Sequence, residues 1–340
     1  MITMDVFKSD AFHATQMIAA VDKLGYVPGY LGSIPGLFEP VPVMTEAVYI
    51  EERSNAPALI QTSPRASAVP QIGGDKRTAR PFATVRLAQG SRIMASELLG
   101  LRAMGEEQAL ETLIGRVNRR QLQLMRNMDL TFENLRLGCV QGTVLDADGS
   151  TIYNWATELG QTIPAEVDFD LDNANPASGA LRKLVTAAKR SILRALKGLG
   201  GNAVRIYALC GDNFWDDLMA HPEIVAMFAA TNEAQSLGRD VAFASFQFAG
   251  VTFVNYRGTD DTSTVSVGTD KAKFFPANAG IFQWAMSPGE SFEHLGQDGQ
   301  MFYSMMVPDE RRNQFADVEV YSYPLPVCTM PSALYRAKRT

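Results

Sequence analysis

Three histidines, three cysteines and an alternating run of aspartates are the side chains best suited to metal or nucleophilic chemistry in this sequence. His13, His221 and His294 stand far apart, and none has a second His or a Cys at metal-ligand spacing. Cys139, Cys210 and Cys328 are equally scattered and odd in number. They set out neither a zinc site nor a disulfide framework, which fits a reducing compartment. Asp168, Asp170 and Asp172 could take a cation, but their alternation is more simply a solvated strand edge. Asp146-x-Asp148-Gly149 resembles the opening of a calcium loop, yet the closing glutamate is missing and the segment reads as a turn. Gly73-Gly74-Asp75-Lys76 lacks the Walker spacing, and no helix follows its lysine. No nucleophile elbow, dinucleotide fingerprint or zinc-protease motif occurs. His221, just before Pro222 at a helix start, suits a cap or a surface position. The expectation is a protein without catalytic, cofactor-binding or metal-binding residues.

With no reactive centre to position, the elements themselves carry the information. The 340 residues, 46% hydrophobic and 20% charged, are ample for a buried core and wrong for disorder. A formal net charge of −6 argues against tight nucleic-acid binding by the chain as a whole. The first residues lack the charged-then-apolar pattern of a signal peptide, and no window is long and apolar enough to span a bilayer.

Glu106 to Leu137 reads as one long amphipathic helix ending at Gly138. Leu110, Leu113, Ile114, Val117, Leu124, Met125, Met128, Phe132 and Leu135 fall on one face of a 3.6-residue period. Glu106, Glu107 and Glu111 near its start and Arg136 near its end suit the helix dipole. Such a helix serves either as the core of a large domain or as a spine from which other elements hang.

Residues 1–45 read as an arm. A short helix is expected over Ala11–Lys23 with Asp10 as its cap. Gly25, Pro28, Gly29, Gly32, Pro35 and Gly36 then break regular structure, while Tyr26, Tyr30, Leu31, Ile34, Leu37 and Phe38 need burial. Either another subunit or the arm's own domain supplies that burial. Residues 46–95 read as two strands around a long loop, with β-like alternation at Val48 and Ile50 and again at Thr84, Arg86 and Ala88. The intervening stretch, 55–80, holds the basic residues Lys76, Arg77 and Arg80. A connection of that length either has a job, such as reaching a neighbour, or is a solvated hairpin tip.

Further along, Val144 to Tyr153 is a hairpin pattern with Asp148-Gly149 at the turn. Asn175-Pro176 is expected to open a helix with Leu181, Leu184, Val185, Ala188, Ile192 and Leu196 as its buried stripe and Gly198 as its stop. Its other face is basic, as solvated helix faces often are. Strands are expected over 204–210, 243–248, 251–256 and 316–323, a helix over 212–218, and an extended tail from Pro324 to Val327. The mixture implies an α+β chain.

Four segments in order carry a resemblance. The helix-to-hairpin stretch Leu135-Arg136-Leu137-Gly138-Cys139-Val140-Gln141-Gly142-Thr143-Val144-Leu145-Asp146-Ala147-Asp148-Gly149 resembles that of the lambda-like phage major capsid protein E family. Phe248-Ala249-Gly250-Val251-Thr252-Phe253, ending in Tyr256, is similar to that family's hairpin. Lys271-Ala272-Lys273-Phe274-Phe275-Pro276 with Gly280-Ile281-Phe282 matches its apolar block, and Tyr323-Pro324-Leu325-Pro326-Val327-Cys328-Thr329-Met330-Pro331 its closing segment. The likeness covers about residues 100–340, and the first 100 match in layout.

The resemblance implies the Hong Kong 97-type major capsid fold, with an N-terminal arm (1–45), an extended β-hairpin loop (46–95), a peripheral domain with a spine helix (96–179), an axial domain (180–312) and a C-terminal return to the peripheral domain (313–340). It implies a phage or prophage head protein that builds pentamers and hexamers of an icosahedral shell in the host cytoplasm. Implied partners are further copies of itself, a scaffolding protein, a portal protein, a decoration protein and packaged double-stranded DNA held non-specifically; no membrane and no cofactor are implied. Candidate intersubunit contacts are Tyr30, Leu37, Phe38, Lys76, Arg77 and Arg80. Some proteins of this fold cross-link lysine to asparagine, and Lys76 stands at a comparable place; lambda-like members use a decoration protein instead. Two other readings stay open: an encapsulin-like shell around enzyme cargo, and an α/β enzyme without a recognisable motif.

Overall fold

The structure, a computed structural model, describes residues 29–53, 77–97, 106–230, 245–256, 265–312 and 314–340. The expected helix over 11–23, Lys76 and most of the loop over 55–80 lie outside these residues. The described chain enters through a single helical turn, α1 (Tyr30–Ser33), and a short strand, β1 (Glu39–Pro42). Two strands then form a hairpin, β2 (Ala47–Arg53) with β3 (Arg77–Ala83), registered from Ala47↔Ala83 to Arg53↔Arg77. Strand β4 (Leu87–Met94) follows directly. Thr84 and Arg86, expected within a strand, instead form the joint between β3 and β4. There the backbone changes partner: Thr84 N–H donates to Glu46 O at 3.1 Å and Val85 N–H to Pro324 O at 3.0 Å.

The long helix α2 (Glu106–Gln141) contains 36 residues, roughly 54 Å at ~1.5 Å per residue. Its expected apolar face is the buried one: Val117, Leu124, Met125, Met128, Phe132 and Leu135 are covered, and Ile114 partly so. It does not stop at Gly138. The hairpin β5 (Thr143–Leu145) with β6 (Thr151–Asn154) folds back on the helix, and a Cβ on Gly138 would meet Thr143 O at 2.7 Å and Val144 Cα at 3.0 Å. Gly138 is therefore a close-approach glycine. The stop is Gly142 at φ +89°, whose N–H donates to Cys139 O at 3.0 Å. Gly138→Ala is expected to lower the unfolding free energy by ~1–3 kcal/mol, read by urea denaturation. An unchanged midpoint would show that the hairpin yields freely. The β5–β6 turn is at Asp148-Gly149 as expected, with Gly149 at φ +83° and Ser150 N–H donating to Asp148 Oδ1 at 2.8 Å.

Beyond a one-turn helix α3 (Trp155–Glu158) and a two-residue strand β7 (Val167–Asp168) lies α4 (Ala180–Leu196). It buries the expected stripe, with Leu184 half-buried. It begins five residues after Asn175, because its free N–H groups are capped from elsewhere. Leu181 N–H and Arg182 N–H donate to the Glu223 carboxylate at 3.0 and 3.2 Å. Glu223 belongs to α6 (Pro222–Ala230), which follows β8 (Arg205–Cys210) and α5 (Asp212–Ala220). Strands β9 (Ser245–Phe248) and β10 (Val251–Asn255) meet at Ala249-Gly250, both with positive φ, as a two-residue hairpin turn requires.

Three larger sheets organise the rest. Strands β11 (Lys271–Ala277) and β16 (Tyr335–Lys338) complete a six-stranded sheet in the order β7-β16-β11-β8-β10-β9. Its core is aromatic, with Phe274 ringed by Phe169, Phe253 and Tyr335 at centroid distances of 5.7–5.8 Å. A second sheet sets β12 (Phe282–Met286) between β1 and β15 (Pro324–Cys328). Both edge strands carry two prolines, which cost nothing there because an edge strand has one unpaired side. The third sheet, β13-β14-β4, joins β13 (Tyr303–Pro308) and β14 (Phe315–Ser322) to β4, and α2 lies against it.

Residues 303–308 hydrogen-bond to β14 in the sheet under α2. Residues 335–338 lie beside β11, registered Lys271↔Lys338 to Phe274↔Tyr335. Tyr335 and Ala337 point into the core there, which an alternation of only four residues at the chain's end does not advertise.

Candidate intersubunit surfaces

The arm segment is held to its own subunit by one carboxylate. Glu133, on α2 beside Phe132, accepts from Leu31 N–H at 2.9 Å and from Tyr256 O–H at 3.0 Å. It thereby caps α1 and ties it to the end of β10. The fit is close, since a Cβ on Gly29 would lie 2.4 Å from Glu133 Oε2. Burial raises the Glu133 carboxyl above its usual value, and the hydrogen bonds from Leu31 and Tyr256 pull it partly back. Tyr30 packs edge-on against Tyr256 with centroids 6.3 Å apart, and burial lifts its phenol to about 12. Leu37 is only 2% exposed. Phe38 stands against Phe282 and Trp284 at 5.5 and 6.1 Å. Of the two sources of burial open for this segment, its own domain supplies the contacts seen for Tyr30, Leu37 and Phe38.

A second acid lies one turn earlier on α2. Burial pushes the Asp129 carboxyl up to about 6, with Arg136 pulling it back. Below the unfolded value of 3.8, Asp129 is protonated in both states and carries no penalty. As pH rises toward 6 the unfolded chain ionises first, and the stability tied to the buried neutral form is lost. Asp129→Asn is expected to flatten this dependence and to leave the variant ~1 kcal/mol more stable than wild type at neutral pH. Urea melts at acidic and neutral pH check it; parallel pH profiles would refute it.

The β2–β3 hairpin is anchored at its base. Val48, Ile50 and Phe82 face inward, and Phe82 meets Tyr153 and Trp155 at 5.7 and 5.3 Å. Tyr153 O–H donates to Ala83 O at 3.1 Å. Arg80, exposed, donates to Glu158 O at the end of α3. Arg77 pairs with Arg53 in the ladder, though its side chain lies outside the described set, as does Lys76. The outer face of β2 shows Tyr49, 64% exposed.

The residues considered first for chemistry have structural settings. His221 Nδ1 accepts from Glu223 N–H at 3.3 Å, the expected cap, and burial lowers its pKa. Asp168 pairs with Lys338 at 3.2 Å. The three cysteines are buried, and burial pushes each thiol upward, Cys328 to about 12. Among the described residues no group of three acidic, His or Cys side chains could hold a metal ion, and no helix is long and apolar enough to cross a membrane. Glu133 escaped the sequence reading, although a lone acid next to Phe132 within an apolar face was its signal. Arg136, set over the Trp284 ring at 4.5 Å, escaped because its position suggested only a dipole contact.

Comparison with known proteins agrees with this architecture. Residues 13–339 match the family described as phage major capsid protein E. The major capsid protein of Pseudomonas phage KPP10 is 26% identical over 330 residues, covering 89% of this chain and 90% of that one. The major capsid protein of Salmonella phage Felix O1 is 24% identical, covering 95% of each. Among solved structures, a chain described as the capsid protein of an E. coli CFT073 prophage superposes with a TM-score of 0.59 at 14% identity, covering 96% of this chain and 99% of that one. The mature capsid of bacteriophage PhiM1 gives 0.53 at 11% identity, covering 93% and 88%. The Hong Kong 97-type fold implied by the motifs is thus borne out. With the match spanning nearly its whole length, the chain belongs to the phage major capsid protein E family and is a structural protein of the virion shell.

Proposed function

We propose that the chain assembles into pentamers and hexamers of a tailed-phage or prophage head that encloses double-stranded DNA. A scaffolding protein guides assembly, a portal protein occupies one vertex, and a decoration protein reinforces the lattice. The observation that carries this reading is the β2–β3 hairpin: its base is packed on the subunit, while its strands run on to Arg53 and Arg77 and, among the described residues, pair only with each other. A two-stranded ribbon with no third strand described beside it suits a contact with a neighbour. In this layout α2 is the spine of the peripheral domain, the six-stranded sheet is the body of the axial domain, and β13 and β14 belong with α2. Lys76, Arg77 and Arg80, and Tyr30, Leu37 and Phe38 in the arm, are its candidate intersubunit contacts. The net charge of −6 fits a shell along which DNA must slide.

Nuclease-treated particles from the native host test the reading. Protected genome-length double-stranded DNA is expected. Particles filled with an enzyme and free of DNA would establish the encapsulin-like alternative.

A further inference from the structure

The helix α4 carries charge of one sign on one side. Its ionised side chains are Arg182, Lys183, Lys189, Arg190, Arg194 and, at its C-cap, Lys197; no carboxylate stands among residues 180–197. On a 3.6-residue period the six share one face, turned away from the stripe of Leu181, Val185, Ala188, Ile192 and Leu196. That stripe is buried, and the helix lies against β11 and β16 of the six-stranded sheet. The row therefore looks outward: five of its members are exposed and Lys189 is half-buried. Elsewhere the structure matches surface cations with acids, Arg86 with Glu290, Arg92 with Asp317 and Lys338 with Asp168. Among the described residues none of the six on α4 joins an ion pair. Glu223, which does reach this helix, accepts from the backbone N–H groups of Leu181 and Arg182 and not from the row. Arg190 and Arg194, four apart, and Arg194 and Lys197, three apart, repel one another, a cost that an anionic partner would relieve.

The shape and chemistry of the row select its partner. From Arg182 to Lys197 it runs roughly 22 Å at ~1.5 Å per residue. A duplex of that length carries about 13 phosphates, one per ~1.7 Å of axis. With a net charge of −6 on the whole chain, this is a local cationic strip and not a general basicity. The apolar stripe is buried in its own subunit, so the helix has nothing left to insert into a bilayer. A protein interface centres on an apolar core depleted of lysine, whereas here Leu193 is the one large apolar side chain exposed on the helix. Cations spread along one axis, with no Asn or Gln on the helix beside them, suit a phosphate backbone and need no base sequence. We infer that the Arg182–Lys197 face of α4 lies on the inner surface of the shell and holds the phosphate backbone of packaged double-stranded DNA. This rests on the shell-forming reading. A few screened charges per copy bind weakly, add up over a shell and lock no register, so the duplex can still slide.

The test follows binding of a short mixed-sequence duplex to the purified full-length chain by fluorescence anisotropy as salt is raised from ~50 to ~200 mM. Lys183→Gln, Arg190→Gln and Arg194→Gln together should weaken binding at least tenfold at low salt. They should also reduce the slope of log affinity against log salt by about 2.7, three phosphate contacts at ~0.9 each. A control with the same change in net charge on other elements, Arg86→Gln with Arg311→Gln and Arg312→Gln, should leave both nearly unchanged. Arg190→Lys with Arg194→Lys should retain binding. The substituted side chains are exposed, so every variant should keep the wild-type melting temperature. On purified shells, Arg190→Cys should react with a small maleimide and be shielded from a polymer-linked maleimide too large to enter; the native cysteines are buried and do not compete. Equal losses from the two triple variants, no duplex binding by the wild-type chain at low salt, or preference for polyglutamate over the duplex would overturn the assignment. So would an Arg190→Cys that the large reagent reaches on intact shells. Each of these leaves the capsid reading standing. A wild-type chain that never forms shells would overturn both.

Discussion

Glu133→Ala should lower the unfolding free energy by about 3 kcal/mol and leave a chain that does not close shells. The carboxylate takes one hydrogen bond from the Leu31 amide and one from the Tyr256 phenol, and both donors are buried beside it. Hydrogen bonds to charged groups are worth ~1.5–3 kcal/mol each, and stranding their partners adds the cost of an unmet donor. The raised pKa of Glu133 shows that its charge is itself uncomfortable there, which offsets part of the loss. Beyond stability, the substitution frees α1 from α2 and from the end of β10. Phe38, packed on Phe282 and Trp284, follows α1 directly in the same segment. Glu133→Gln keeps an acceptor for the Leu31 amide and should retain more than half of the lost stability. Chemical denaturation and electron microscopy of the two variants check this. Equal losses from Ala and Gln would mean that charge, not hydrogen bonding, matters; wild-type shells from Glu133→Ala would remove the clamp's role in assembly.

The second large effect is expected from shortening the hairpin's connection. Excising residues 57–73 and closing the gap with a short Gly-Ser link leaves β2, β3 and their seven-pair register in place. Phe82 remains against Tyr153 and Trp155, so the base stays docked. The melting temperature should therefore move by only a few degrees, loops being tolerant of such changes. Shell yield should fall by more than tenfold if, as proposed, the hairpin contacts a neighbouring subunit. A well-folded variant that assembles normally would remove the hairpin from the lattice contacts.

Much of the fold was readable where periodicity is strong. The face of α2 and the stripe of α4 follow from local pattern alone, and the hairpin turns at Asp148-Gly149 and Ala249-Gly250 from turn chemistry. Errors came where tertiary contacts override local signals. Gly138 looks like a helix stop, but its missing side chain admits β5, and the helix ends at Gly142. Asn175 looks like a cap, but α4 is capped by Glu223 from 42 residues away. Strand β16 is too short to show an alternation and is fixed by pairing with β11. The candidate surfaces divide in the same way. Tyr30, Leu37 and Phe38 were noticed as apolar residues among glycines and prolines, and the structure gives them partners in their own subunit. The basic face of α4 was legible as a stripe, whereas its lack of carboxylate partners among the described residues shows only once the fold is built.

The central claim is that this chain builds a shell. Sedimentation velocity with negative-stain microscopy on the purified full-length protein, alone and co-expressed with the proposed scaffolding protein, tests it most directly. Rings of five and six subunits, and closed particles of uniform diameter when the scaffold is present, are the predicted result. A compact monomer under every condition, with or without scaffold, would contradict it.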